Sequence, residues 1–320
     1  MGRLTYITVT KQIQKKRCMT VYIDTEPGPE YAGLVQRMRL AQRESHAPLA
    51  LRRERLVQMA AVRPDVPDVV GLAIDLGGVA CVRWSRTGAA SSGAPVLYLH
   101  GGAYQLGSPH THRALPQTLA KGLHCDVYSL DYRLAPEHPL PAALDDALAA
   151  WRPLTEEPQA VHASLLGDSA GGGLALALAV AIRDQALPAP RALALLSPWV
   201  DLRCVLGSHW RLAAADPLMT RAALRDAALA YLGEWPADDS RASPLLGQLS
   251  GLPPVLIQVG EHEILLDDSL ALKAALQSAG VSVKLEVWRQ MVHAWQHFAP
   301  QLPEASRAVA VVQSFLTDPQ

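Results

Sequence analysis

The seven residues Gly167-Asp168-Ser169-Ala170-Gly171-Gly172-Gly173 carry the first chemical signal in the chain. They follow the apolar run 163–166 and precede the Ala/Leu-rich run 174–183. Strand, tight glycine turn and helix are the context of a nucleophile elbow. Such a turn strains the serine backbone and lifts its hydroxyl clear at the mouth of the sheet. Small residues are required at Gly167 and Gly171 because the chain folds back on itself there. A phosphate-binding loop would carry Gly-Lys-Ser/Thr at the helix start, and no lysine is present.

A serine hydroxyl is a poor nucleophile at neutral pH. It needs a base within hydrogen-bond reach and a third group to orient that base. In a sheet of this kind the order is Ser, acid, His, each on a loop at a strand's C-terminal end. The histidines after Ser169 are His209, His262, His293 and His297. His209 lies in a strandless stretch, and His262 sits where the acid belongs. His293 follows the last strand by a short loop and is the expected base, with His297 in reserve. The acid must follow the strand 255–259, where Glu261, Glu263, Asp267 and Asp268 stand. Glu263 comes soonest with the loop already turning, and Asp267-Asp268 reads as the N-cap of the next helix.

A third component is a set of backbone N–H groups aimed at the charge developing on a carbonyl oxygen. His100-Gly101-Gly102-Ala103 follows the strand 96–99, and its small residues allow close backbone approach. The Ala170 N–H would converge from the other side. His110-x-His112 and His293-x-x-x-His297 have metal-ligand spacing but no clear third ligand, so no metal site is expected. No Gly-x-Gly-x-x-Gly follows the first strand, so no dinucleotide is expected either.

Elements that would position these residues alternate along the chain. Residues 30–63 show apolar spacing of two helices, broken near Ser45 to Pro48. A hairpin of 71–75 and 79–84 turns at Gly77-Gly78. Short apolar strands then alternate with helices: 94–100, helix 113–123, 126–130, helix 142–154, the serine turn, and strand 192–196. After Asp201 the alternation lapses, with a helical pattern over 220–232. It resumes with strand 255–259, helix 268–279, strand 282–287 and helix 303–316. Such alternation predicts a mostly parallel sheet covered on both faces.

The chain has 320 residues, 49% of them hydrophobic, enough for one large core with an attached cap. A net charge of −1 gives no reason to expect nucleic acid or an anionic surface. No apolar run approaches the roughly 20 residues of a membrane helix. The N-terminal basic residues precede no apolar h-region, which argues against a secretory signal. Cys18, Cys81, Cys125 and Cys204 are far apart and read as reduced thiols of a cytoplasmic protein. Residues 1–18 hold three of the six lysines and lack periodicity. They read as a disordered tail, or as the result of a start codon placed before a true start at Met19.

Together these motifs resemble the bacterial family related to mammalian hormone-sensitive lipase, within the α/β-hydrolases. The resemblance spans roughly residues 70 to 300. It rests on 100–103, Asp131-Tyr132-Arg133-Leu134-Ala135-Pro136-Glu137, 167–172, Ser197-Pro198-Trp199-Val200-Asp201, and Met291-Val292-His293. It implies a cofactor-free carboxylesterase for short acyl chains, with Gly102, Ala103 and Ala170 as oxyanion donors and Gly101 shaping the loop. The expected division is 1–68 for tail and cap helices and 69–320 for the catalytic domain, with a cap insertion at about 203–240. Two departures stand out. Ala103 replaces a more usual third glycine, and Glu263 replaces a more usual Asp, which leaves Glu261 as a competitor. The expected function is hydrolysis of a small-molecule ester through Ser169, His293 and Glu263. A lactonase, an amidase or deacetylase, and a non-catalytic receptor or scaffold are the alternatives. No nucleic-acid or membrane partner is expected, and a homodimer is kept open.

Overall fold

The computed structural model describes residues 18–88, 90–156 and 163–319. Nine strands make one sheet: β1 (Cys18–Ile23), β2 (Val69–Leu76), β3 (Val79–Arg86), β4 (Val96–Leu99), β5 (Val127–Leu130), β6 (Ser164–Asp168), β7 (Leu193–Leu196), β8 (Val255–Gly260) and β9 (Val283–Trp288). Their order is β1-β9-β8-β7-β6-β4-β5-β3-β2. The β2–β3 hairpin and the β3–β5 pair are antiparallel, and every other pairing is parallel. This is the mostly parallel sheet that the alternation implied.

Neighbouring strand residues serve opposite faces, as the pleat demands. Leu97, Leu165, Leu193 and Leu195 join one buried cluster, with the helices α4 (Ala142–Glu156), α5 (Ala170–Asp184) and α8 (Leu266–Ser278). Tyr98, Leu166, Ala194 and Leu196 join the other, with α3 (Ala114–Leu123) and α9 (Pro303–Thr317). The central strands are buried on both sides, which is why they read as unbroken apolar runs rather than alternating ones.

Helices α1 (Pro29–Arg43) and α2 (Leu49–Ala61) break where Ser45 to Pro48 marked the interruption. The segment after β7 contains a single turn, α6 (Ser208–Arg211), and the helix α7 (Arg221–Leu232), whose first turn is capped by Thr220 Oγ1 accepting from Ala223 N–H.

Two local expectations need correction. Cys18–Ile23, which carried no strand assignment, pairs in parallel with β9 from Cys18↔Val283 to Ile23↔Trp288. Met19 is therefore the second residue of a strand, and the expected tail does not extend to residue 18. Residues 1–17 lie outside the described residues. Asp267 and Asp268 are not N-caps: α8 begins one residue earlier, at Leu266. Asp267 Oδ2 accepts the Ser208 N–H at 2.7 Å, and Asp268 faces His209 Nε2 at 3.1 Å with both side chains fully buried. That pairing accounts for His209 without any catalytic role.

Candidate active site

Ser169 sits between β6 and α5 with φ 54° and ψ −123°. A dense set of backbone bonds holds that unfavourable conformation. Its N–H donates to Leu196 O, and its carbonyl accepts from Gly172, Gly173 and Trp199 N–H groups. The turn needs glycine for space. A Cβ on Gly167 would lie 2.1 Å from the Gly171 carbonyl oxygen, and one on Gly171 2.1 Å from that of Leu99.

His293 and Ser169 line the same cavity, of about 380 Å³. His293 Nδ1 faces Glu263 Oε2 at 3.2 Å, which leaves Nε2 for a partner on the other side of the ring. Glu263 is fully buried, and its Oε2 also accepts the Ser197 hydroxyl at 2.8 Å. Burial pushes the Glu263 carboxyl up, and the His293 and Ser197 contacts offset this only in part. Burial alone would lower His293, but the Glu263 carboxylate, aided by Asp216 and Asp168, outweighs it and the imidazole ends above its ordinary value. Glu261 is elsewhere: its Oε2 accepts the Gln290 N–H at 3.1 Å. The backbone N–H of His262 donates to Met291 O.

Of the four expected oxyanion residues, Gly101 stands apart. Its N–H is taken by Asp168 Oδ1 at 3.1 Å, so it fixes the loop rather than facing a substrate. The N–H groups of Gly102, Ala103 and Ala170 make no hydrogen bond among the described residues. Gly102 (φ 115°) and Ala103 (φ 54°) both have positive φ. The Gly102 carbonyl accepts the N–H groups of Gln105 and Leu106. Gly102, Ala103 and Ser169 all line the cavity.

Three functional side chains escaped the sequence reading. Ser197, noted only as part of a motif, braces Glu263 and also accepts the Ala294 N–H, so one hydroxyl spans the acid and the residue after His293. Asp168 is buried under the serine turn, with Tyr98 OH at 2.6 Å and His297 Nε2 at 3.1 Å. Burial raises its pKa, but His297, His112 and the Tyr98 hydroxyl outweigh burial and hold the carboxyl well below its usual range. Asp216 receives the Leu218, Met219 and Ile264 N–H groups. Its sequence signal was an Asp directly before a proline in a segment without strands.

The cavity is roofed by Leu34 and Met38 of α1, Leu56 and Met59 of α2, Leu218 and Met219 just before α7, and Leu224 of α7. Leu206, Trp210 and Leu212, apolar residues of the same segment, do not line it. The short turn α6 is drawn onto the start of α8 by Ser208–Asp267 and His209–Asp268 contacts. Trp210 is left 54% exposed, with the Arg221 guanidinium 4.3 Å over its ring. Among the described residues, no helix is long and apolar enough to cross a membrane.

A family profile described as "alpha/beta hydrolase fold" matches residues 96–297. An acetyl-hydrolase of Streptomyces hygroscopicus is 45% identical, covering 75% of this chain and 80% of that protein. An esterase of Acinetobacter venetianus is 38% identical over 85% of this chain and 89% of its own. The crystal structure of an esterase from the bacterial hormone-sensitive lipase family superposes with a TM-score of 0.85 at 38% identity, over 92% of this chain and 99% of that one. With the serine turn, the glycine loop and the late histidine all at one cavity, the chain belongs to the hormone-sensitive-lipase-like bacterial esterases of the α/β-hydrolase fold.

Proposed function

We propose that this chain hydrolyses carboxylic esters of small molecules, in the cytoplasm, through Ser169, His293 and Glu263. The ester enters the cavity with its carbonyl oxygen toward the N–H groups of Gly102, Ala103 and Ala170. His293 Nε2 takes the Ser169 proton as Oγ attacks the carbonyl carbon, and the negative charge forms on the carbonyl oxygen. Fixed backbone dipoles meet that charge without reorganising. Glu263 stabilises the imidazolium and holds its Nδ1 proton. The alcohol leaves with the proton from His293. Water then repeats the sequence on the acyl-enzyme, releasing the carboxylic acid. Ser197 and Asp168 touch no substrate in this scheme; they position the acid and the oxyanion loop.

We read α1, α2 and the segment 203–240 as a cap that limits the acyl chain. The observation carrying the whole proposal is the 3.2 Å approach of a fully buried Glu263 to His293, in a cavity that also holds Ser169. The test is labelling by a fluorophosphonate together with hydrolysis of p-nitrophenyl acetate and butyrate. Wild type labels and turns over, and Ser169→Ala does neither. Labelling that survives in Ser169→Ala places the nucleophile elsewhere, and absence of turnover in wild type points to a receptor or scaffold.

A further inference from the structure

The pairs His110-x-His112 and His293-x-x-x-His297 each lacked a third donor in the sequence. The fold supplies one and takes a single histidine from each pair. One donor atom of each of His112, Asp168 and His297 lies within 4.8 Å of the other two. Both oxygens of Asp168 are distinguished: Oδ1 is held by Tyr98 OH and the Gly101 N–H, and Oδ2 faces the histidines. His297 Nε2 is buried, 3.1 Å from Oδ2, and makes no hydrogen bond of good geometry. The His112 ring is fixed twice, by Thr111 Oγ1 at 2.9 Å from Nδ1 and by stacking on His100 at 5.1 Å between centroids. Outer contacts of this kind orient the ligands of protein-bound metals. The remaining histidines are engaged elsewhere. His293 faces Glu263, and His110 is exposed with its ring edge-on to Trp84.

Two imidazoles and one carboxylate are a donor set for zinc and its borderline neighbours rather than for magnesium or calcium. All three residues line the cavity that holds Ser169. An ion held by the three would therefore sit at the wall of that cavity. We propose that His112, Asp168 and His297 bind one divalent transition ion of the zinc type, and that its occupancy reversibly blocks ester hydrolysis. The ion draws Asp168 Oδ2 and His297 together around itself, under the turn that carries Ser169 and the loop that Asp168 Oδ1 ties down. It also places positive charge and a bound water beside the nucleophile. Binding stands on the three donors alone; only the inhibition rests on the esterase mechanism above.

The test uses the full chain stripped by a chelator. Zinc chloride is titrated by calorimetry, and cobalt chloride by visible absorption. The expected result is one ion per chain, with cobalt bands of four-coordinate nitrogen/oxygen type. Esterase activity falls with occupancy and returns with EDTA. His112→Asn and His297→Asn should each weaken zinc binding by about tenfold or more, since even outer-contact losses cost that much. His293→Asn should lose turnover and keep the ion. Should the variants fold poorly, zinc X-ray absorption on wild type decides: two imidazoles and no sulfur support the site. No binding, binding unchanged in His112→Asn and His297→Asn, binding lost in His293→Asn, or a sulfur shell from a cysteine each overturns it. Full activity with the ion bound overturns the inhibitory half. A stripped enzyme that hydrolyses no ester refutes the esterase proposal while the calorimetry still reads the site.

Discussion

Asp216 Oδ2 accepts the N–H of Ile264 at 2.9 Å, and Ile264 directly follows Glu263. The other oxygen of Asp216 gathers the Leu218 and Met219 N–H groups, whose side chains roof the cavity. One carboxylate thus joins the roof to the loop of the acid. Asp216→Ala leaves three N–H groups without their acceptor, at about 1–3 kcal/mol for each one that stays buried. The expected outcome is a lower melting midpoint and a kcat reduced more than KM is raised. Unchanged kcat with a lowered midpoint would reduce Asp216 to a purely structural brace.

Ser169 is held at positive φ, which glycine adopts at little cost and a residue with a Cβ adopts only under strain. Ser169→Ala should fold and lose essentially all turnover, leaving only what the oxyanion groups and binding supply. Ser169→Gly should be equally inactive yet melt above Ser169→Ala, by an amount on the order of 1 kcal/mol of relieved strain. Calorimetry on the pair checks this. The opposite order of midpoints would mean that the turn stores no strain at Ser169.

Glu263→Gln should lower kcat about a hundredfold or more, and Glu261→Gln should change it little. The pH profile carries a sign. The Glu263 carboxylate raises the pKa of His293, and catalysis needs the neutral imidazole. Removing that charge lowers the pKa, so the acid limb of kcat/KM moves to lower pH while the maximum falls. An unmoved limb, or a larger loss in Glu261→Gln, would transfer the orienting role.

A cavity of about 380 Å³ roofed by leucine and methionine suits acyl chains of about two to eight carbons, each fitted methylene adding at most about 0.8 kcal/mol. Hydrolysis of p-nitrophenyl esters from acetate to palmitate should peak within that range, with no rise at an oil–water interface. A maximum at palmitate would show a roof that opens fully.

A chain beginning at Met19 loses only Cys18 from the pairing with β9 and should keep its activity and midpoint. Removing residues through Ile23 exposes the edge of β9. The midpoint should then fall by about 1.5–3 °C, as roughly 1–2 kcal/mol lost in a chain of this size implies. Equal midpoints for the two truncations would mean that β1 adds nothing.

Much of the architecture was legible because fully buried strands and amphipathic helices differ in length and period. Leu97–Leu99 and Leu193–Leu196 announce themselves as apolar runs, and Thr220 marks its helix start. Glu263 and His293 were reachable by counting from strand ends. β1 was not, since six mixed residues at a sheet edge carry no period that outweighs the polar residues around them. The Asp168–His112–His297 cluster was hidden for a different reason. Its members come from the end of β6 and from the connections after β4 and β9, and only the strand order brings them together. The acid-bracing role of Ser197 is likewise a tertiary contact, and a serine at a strand end is common.

β1 and β2 are consecutive strands in sequence and the two outermost strands of the sheet. The segment between them holds α1 and α2, so this half of the roof is a strap pinned at both margins of the nine-stranded sheet, with eight interstrand spacings of about 4.8 Å between its anchors. A strap with two anchors cannot swing as a door does. Access must come from bowing at its middle, near Ser45 to Pro48, while both ends stay zipped into the sheet. The amide protons by which β1 and β2 pair with their neighbouring strands therefore exchange on a slower clock than those of the interhelical bend, and a substrate wider than that bow is refused whatever its chemistry.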